Sequence, residues 1–371
     1  MANNSNPDTE KKQEENSNTP RDESAKNESA QRELDCTTSY DDALPQLLEY
    51  LNISLVLTSY QAGRVITVRS HQGQLDTHFM ACPRPMGLTV DQHRLTLGIW
   101  AQVLDFRRDD TVCQQIDDSQ KVDACYLPRA SHVTGMINIH DIAWGEEGLW
   151  AVNSTFSCLC TLDANYNFIP RWQPDWISEL VPEDRCHLNG MAMKEGRPKY
   201  ITTFNQQNSA GAWRENAGKV GTLVDIDTDE LLLSDLWMPH SPRYYRGKVY
   251  VCESGFGLIW QLNPETHEKK LLAKLQGFTR GMAFYGNLLF VGLSKVRYSN
   301  VANRPPLSLE FDETYSGVWV LDIDSGDVVS YLSFEGDINQ VYDVGIVPQS
   351  RFPQIIEWQD EKIERFYHFP K

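Results

Sequence analysis

The chain has 371 residues, 41% of them hydrophobic and 11% aromatic, and a net charge of −17 from 34 Lys and Arg against 51 Asp and Glu. That length suits two ordinary domains or one modular array, and the aromatic content leans towards β structure. The acidity excludes two partner classes: a nucleic-acid grip needs a basic stripe and an anionic membrane surface a polybasic segment, and neither is present.

Residues 1–35 contain no Val, Ile, Phe, Trp or Tyr. Such a stretch buries too little to offset its ordering entropy, which predicts a disordered tail. It has no apolar core of the kind a secretory signal needs, and no run of about 18 apolar residues follows to span a membrane. The expectation is a cytoplasmic protein whose eight cysteines stay reduced. Cys158 and Cys160 share one face of a strand-like run; the choice there is between a metal pair and core filling, and core filling is the better reading. A short helix comes next, with Asp42 as cap, Pro45 in the first turn, and Leu44, Leu47, Leu48 and Leu51 on one face.

From Ser54 the pattern changes to short β runs. An apolar strand, then Asp or Asn, then a tight polar turn recurs as VLDFRRDD, TLDANYNF, LVDIDTDE, QLNPETHE and VLDIDSGD, with a looser copy at TVRSHQGQ. Taking Arg69, Asp105, Asp163, Asp225, Asn263 and Asp322 as the register gives intervals of 36, 58, 62, 38 and 59, the short ones about the length of a bare propeller blade. A second column precedes it: PMGLTV, HDIAW, NGMAM, PRYY, RGMAF and YDVGIV. The last of these has no partner strands after it, while the strands at 55–60, 64–69 and 75–81 have no opening strand of their own. Joining the two ends closes a ring, the usual way a propeller removes its free edges. The predicted fold is therefore all-β: a six-bladed β-propeller over 36–371, closed by N-terminal strands pairing with the C-terminal strand, with five or seven blades as alternatives.

In that fold the loops leading into each inner strand and those between second and third strands share one face, where rigid strands can hold binding groups. His140, His187 and His240 fall at equivalent places in three successive blades. Convergence on the channel would make them catalytic residues beside Asp141, or a divalent-metal site whose ring nitrogens stand about 3–4 Å apart. Arg84, Asn189, Arg243, Arg280, Lys295 and Arg297 fall in the same loop classes and are candidate substrate contacts. An arginine cluster in so acidic a chain suits a carboxylate or phosphate; the plainer alternative is that each Arg pairs with an acid such as Asp141, Asp184 or Asp343. Inserts at 109–138, 166–186, 205–219 and 295–315 read as lids or plugs, and 168–180, with Trp172 and Trp176, as an aromatic cover. The Asp225 and Asp322 runs lack the EF-hand Gly and Glu and read as Asx turns. No phosphate loop, dinucleotide fingerprint, serine-hydrolase elbow or zincin motif occurs.

The strings TSYQAGR, RPMGL, TLDANYNFIPRW, EDRCHLNGMAM, MPHSPR, GFTRGMAF and VGLSKVR, with the later FEG and VYDV, resemble a bacterial protein family of unknown function over about residues 54–348. The resemblance implies a propeller-like fold and no established reaction. Members commonly carry an acid where Met136 stands and a Glu where Gln340 stands, so a mechanism needing a full acidic set is weakened; His140, His187, His240, Arg243 and Arg280 are all present. Two classes of function stay open. One is an enzyme, metal-dependent and of hydrolase, lyase or oxygenase type, acting on an anionic small molecule or peptide. The other is a non-catalytic propeller that binds a ligand or a protein partner on the same face.

Overall fold

Alternating apolar positions and tight polar turns build six antiparallel sheets in succession. The structure is a computed structural model and describes residues 33–215, 218–296, 304–367 and 369. Residues 1–32 of the tail predicted at 1–35, and Arg297, lie outside the described residues. Asp35, the last residue of that tail, is instead held by paired bonds with Asp337, its N–H donating to the Asp337 carboxylate at 2.9 Å and its carbonyl accepting from Asp337 N at 2.7 Å. The described residues from Asp35 onward form one compact unit. The first strands of the blades, Leu88–Val90, Ile139–Gly145, Leu188–Lys194, Pro239–Tyr245, Phe278–Tyr285 and Asp343–Pro348, touch one another in a closed ring around the channel. Blade six pairs Asp343–Pro348 with Ile53–Ser59, from Ile53 opposite Pro348 to Thr58 opposite Asp343, followed by Arg64–His71 and Gln74–Ala81. The chain is thus a six-bladed propeller closed between its two ends.

Four members of the recurring Asp and Asn column do what turn chemistry requires, while Asp105 instead accepts from Thr96 Oγ1 and pairs with Arg107. Asp163, Asp225, Asn263 and Asp322 each accept a backbone N–H two residues on, from Asn165, Asp227, Glu265 and Asp324. Cys158 and Cys160 are buried in one apolar cluster between blades one and two, and all eight cysteines are free thiols.

Several expectations need correction. Asp41, not Asp42, caps the helix Ala43–Leu51, its carboxylate accepting from Ala43 N at 2.8 Å. The insert at 109–138 contains the fourth strand of blade one, Ala124–Val133, and that at 166–186 the fourth strand of blade two, Tyr166–Trp172. The segment 168–180 is therefore no cover: Trp172 and Trp176 pack against the core between blades two and three. Two short edge strands were not anticipated. Thr38–Tyr40 extends blade five, and Pro353–Ile355 runs parallel to Ala124–Val133 on blade one.

Around the channel the blades alternate in kind. In even blades a polar residue, Asp141, Ser241 or Asp343, accepts an inner-strand N–H of the following blade: from Met191 at 3.1 Å, Gly281 at 2.8 Å and Leu88 at 3.2 Å. Odd blades place glycine there. At Gly281, with φ +67°, a Cβ would lie 2.7 Å from Asp343 Cα, so only glycine lets the backbones close up. Gly87 and Gly190 hold the same place in blades one and three. Four junctions are tied further by a hydroxyl at the end of a second strand: Thr58 donates to Met86 O, Ser154 to Leu188 O, Ser254 to Thr279 O and Ser294 to Val341 O.

Candidate functional site

Four residues just ahead of the inner strands adopt left-handed backbone without being glycine: Arg84 (φ 47°), Asn138 (55°), His187 (48°) and Met238 (50°). Such residues cost on the order of 1–3 kcal/mol each and gather at functional sites. All four line one cavity of about 330 Å³ at the channel mouth. The same loops supply Met86 and Tyr342, the first residues of the inner strands supply His140, His240, Phe278 and Arg280, and the loops between second and third strands supply Tyr60, Phe204, Trp213 and Arg214.

His140 and His240 are held by one device repeated 100 residues apart. Nδ1 of His140 lies 2.8 Å from Asn138 O and 2.7 Å from Ser154 Oγ; Nδ1 of His240 lies 2.9 Å from Met238 O and 2.8 Å from Ser254 Oγ. Each serine proton is already committed to a carbonyl of the next blade, so each Oγ accepts and each Nδ1 carries the hydrogen. Nε2 is then a bare acceptor. Burial first, then the neighbouring His187, pushes His140 down to about 3; burial, Arg280 and the other two histidines hold His240 well below the ordinary imidazole range. Both rings are neutral at physiological pH.

His187 does not share their place, contrary to the sequence expectation: Asn189 holds the equivalent position in blade three, and His187 stands two residues ahead of it, just before the strand, oriented differently. Its Nδ1 donates to both oxygens of Asp184, at 3.0 and 3.1 Å. Trp213 Nε1 and Arg214 also donate to that carboxylate, at 2.8 and 3.2 Å. Burial opposes ionisation of Asp184, but the charge and hydrogen bond of His187 and the bond from Trp213 outweigh it, and its pKa is lowered. The His140 and His187 rings meet edge-on with centroids 4.7 Å apart. Phe204 stands between His187 and His240, 4.5 Å from one ring and 5.2 Å from the other. Nε2 of His240 accepts from Arg280 at 2.9 Å. The expected convergence of three imidazoles on one ion is thus interrupted by a phenyl ring and a guanidinium. Among the described residues no group of three or more His, Cys, Asp or Glu side chains is placed to hold a metal.

The remaining candidates separate. Arg280 and the exposed Arg84 line the cavity. Arg280 lies over the Phe278 and Tyr342 rings at 5.0 and 4.8 Å, and its Nε is buried with no partner. Asn189 is buried beneath His187, bonded to Thr202 Oγ1 and His187 O, and Lys295 does not reach the cavity. Asp141 and Arg243, expected beside the histidines, face the other way. They line a second cavity of about 390 Å³ at the opposite end of the channel, among Met191, Met193, Met282 and Phe284. Arg243 donates to Asp141 at 2.7 and 3.3 Å and stands 3.5 Å from Asp343, with further bonds to Met282 O, Met191 O and Pro242 O. This hub pins blades two, four and six together.

Two carboxylates on one guanidinium are unequally served. Burial first pushes Asp343 up, Arg243 opposes and Asp141 adds to the rise, leaving it at about 7. An unfolded Asp titrates near about 3.9. Between these values the folded state binds more protons, so this group's contribution to stability falls as pH rises from about 4 to about 7 and is level above. Asp343→Asn is expected to flatten that part of the pH profile, read from thermal melts between pH 4.5 and 8; an unchanged profile would contradict the assignment.

Sequence reasoning did not single out Phe204 and Phe278, named Asp184 only as a possible arginine partner, and gave Ser154 and Ser254 no role beside the histidines. For the two serines a signal was present: each stands 14 residues after its histidine. Phe204 carried none, since a lone aromatic at a strand end reads as core.

A domain of unknown function, DUF4915, matches residues 42–356. No curated protein matches the chain. Among solved structures, a chain in a crystal structure of a nidogen/laminin complex is similar over 80% of this chain and 99% of that one, with a TM-score of 0.52 and 10% identity. That likeness concerns the fold alone.

Proposed function

We propose that this chain, which belongs to the DUF4915 family, is a small-molecule propeller whose channel mouth holds an organic anion against Arg280. The observation that supports it is a contrast between two arginines. Arg243 is neutralised by two carboxylates, whereas no carboxylate among the described residues lies within ion-pair reach of Arg280, which is flanked by aromatic faces and a neutral imidazole. A half-buried cation left this way lacks a counter-charge, and a bound anion supplies it. A volume of about 330 Å³ lies at the small end of ligand pockets and favours a small molecule over a peptide.

The Asp184–His187 pair adds chemistry to the site. A carboxylate that fixes Nδ1–H leaves Nε2 as the ring atom for proton transfer, the arrangement of a general base. The reaction that follows is proton abstraction from the bound anion, with His187 as base and Asp184 orienting it; the reading requires no metal. A second reading, a non-catalytic propeller that docks a protein on the same face, draws on the exposed Trp100 and Met136 beside Arg84.

Arg280→Met tests the first reading. Binding of cyclohex-1-ene-1-carboxylate, followed by calorimetry, is expected to weaken at least about tenfold, the range of a lost charge-assisted hydrogen bond. Unliganded stability is expected to hold or rise, because the substitution removes an uncompensated charge. A large loss of stability with unchanged binding would make Arg280 a structural residue and overturn the reading.

A further inference from the structure

The walls of this cavity present hydrogen-bond donors and acceptors in a fixed arrangement. On one side stand the guanidinium of Arg280, unpaired with any carboxylate among the described residues, and the exposed Arg84, both of which can only donate. Beside them stands His140, whose Nδ1–H is committed to Asn138 O and Ser154 Oγ. Its Nε2 has no partner among the described residues and can only accept. The equivalent Nε2 of His240 shows what such an atom does here, since it takes a hydrogen from Arg280. His140 and Arg280 both stand against the Tyr342 ring, at 6.0 and 4.8 Å from its centroid, and line the same cavity, so one small molecule can span both.

A guest bearing only an anionic group would satisfy the arginines and leave the His140 acceptor facing an apolar skeleton, which loses a hydrogen bond on transfer from water. A guest with an added O–H beside the anion satisfies both. The other walls, Phe204, Phe278 and Tyr342, offer ring faces that suit the C–H face of a non-aromatic carbocycle. Resting on the anion reading above, we propose that the ligand of this cavity is a small hydroxylated organic acid, its acid group on Arg280 and a hydroxyl donating to Nε2 of His140.

Three probes of one carbon skeleton separate the terms: shikimate, its methyl ester, which lacks the charge, and cyclohex-1-ene-1-carboxylate, which lacks the hydroxyls. Calorimetric titration of the full chain is expected to show shikimate binding at least about tenfold tighter than either relative. His140→Phe, which keeps an aromatic ring and removes the acceptor, is expected to bring shikimate to the level of the unhydroxylated acid. The same variant should leave the unhydroxylated acid within about twofold, which also reports that the cavity is intact. If the two acids bind wild-type protein equally, the hydroxyl requirement is overturned while the anion reading stands. If the methyl ester binds as tightly as shikimate, or neither acid binds, both are overturned.

Discussion

Arg243→Met is expected to cost about 3–5 kcal/mol of stability, the range for removing one partner of a buried ion pair. The magnitude follows from what is left behind. Asp141 and Asp343 are 4% and 3% exposed, and without the guanidinium they face each other across the channel as like charges. Three carbonyls, those of Met282, Met191 and Pro242, lose a donor as well. The loss should be smaller at pH 5 than at pH 8, because protonating a carboxyl relieves the repulsion. Adding Asp141→Asn and Asp343→Asn to Arg243→Met should recover a large part of it, since replacing every member of a buried ion cluster costs far less than breaking it. Urea denaturation of the single and triple variants at both pH values measures all of this. A single-variant loss below about 1 kcal/mol would mean the hub contributes little.

Ending the chain at Phe334 is expected to abolish cooperative unfolding altogether. The deletion removes Asp343–Pro348, the inner strand of blade six, and strips its six pairings from Ile53–Ser59. Ile53, Leu55, Val56 and Leu57, all fully buried, would stand on an open edge. The same cut removes Asp343 from the hub and Pro353–Ile355 from blade one. Closure through two distant segments makes the ring one cooperative unit, so partial loss is not expected to leave five stable blades. Near-ultraviolet circular dichroism during thermal melting tests this. A truncated protein with a sharp transition near that of the full chain would show that closure is dispensable.

The architecture was legible because its signals are local. Strand alternation, the Asx turns at Asp163, Asp225, Asn263 and Asp322, and the unmatched strands at the two ends each involve neighbours in sequence. The fourth strands of blades one and two were hidden by Pro128 and Pro170. Proline argues against a strand, yet both stand where the ladder register shifts, the place a strand tolerates it. Thr38–Tyr40 and Pro353–Ile355 are three residues each, too short for any period to register. The site was legible as a set of loops, and Arg84, His140, His187, His240 and Arg280 do line one cavity. The partition of the arginines was not. Arg243 meets an acid 102 residues away in sequence, and only the fold decides that Arg243 is paired while Arg280 is not. The interposed ring of Phe204 was equally out of reach.

The alternation of even and odd blades has a geometric consequence for any guest. A mouth with true three-fold repetition would offer an unsymmetrical molecule three equal poses, a degeneracy worth roughly 0.6 kcal/mol of mixing entropy but ruinous for directing chemistry at one bond. Here the corresponding corners are His140, His240 and Tyr342 in the even blades, and Met86, Asn189 and Arg280 in the odd ones. Only one odd corner carries a cation, and only one of the two histidines has its acceptor nitrogen free. The repeat supplies a rigid round frame, and the departures from the repeat define a unique up, down and handedness within it.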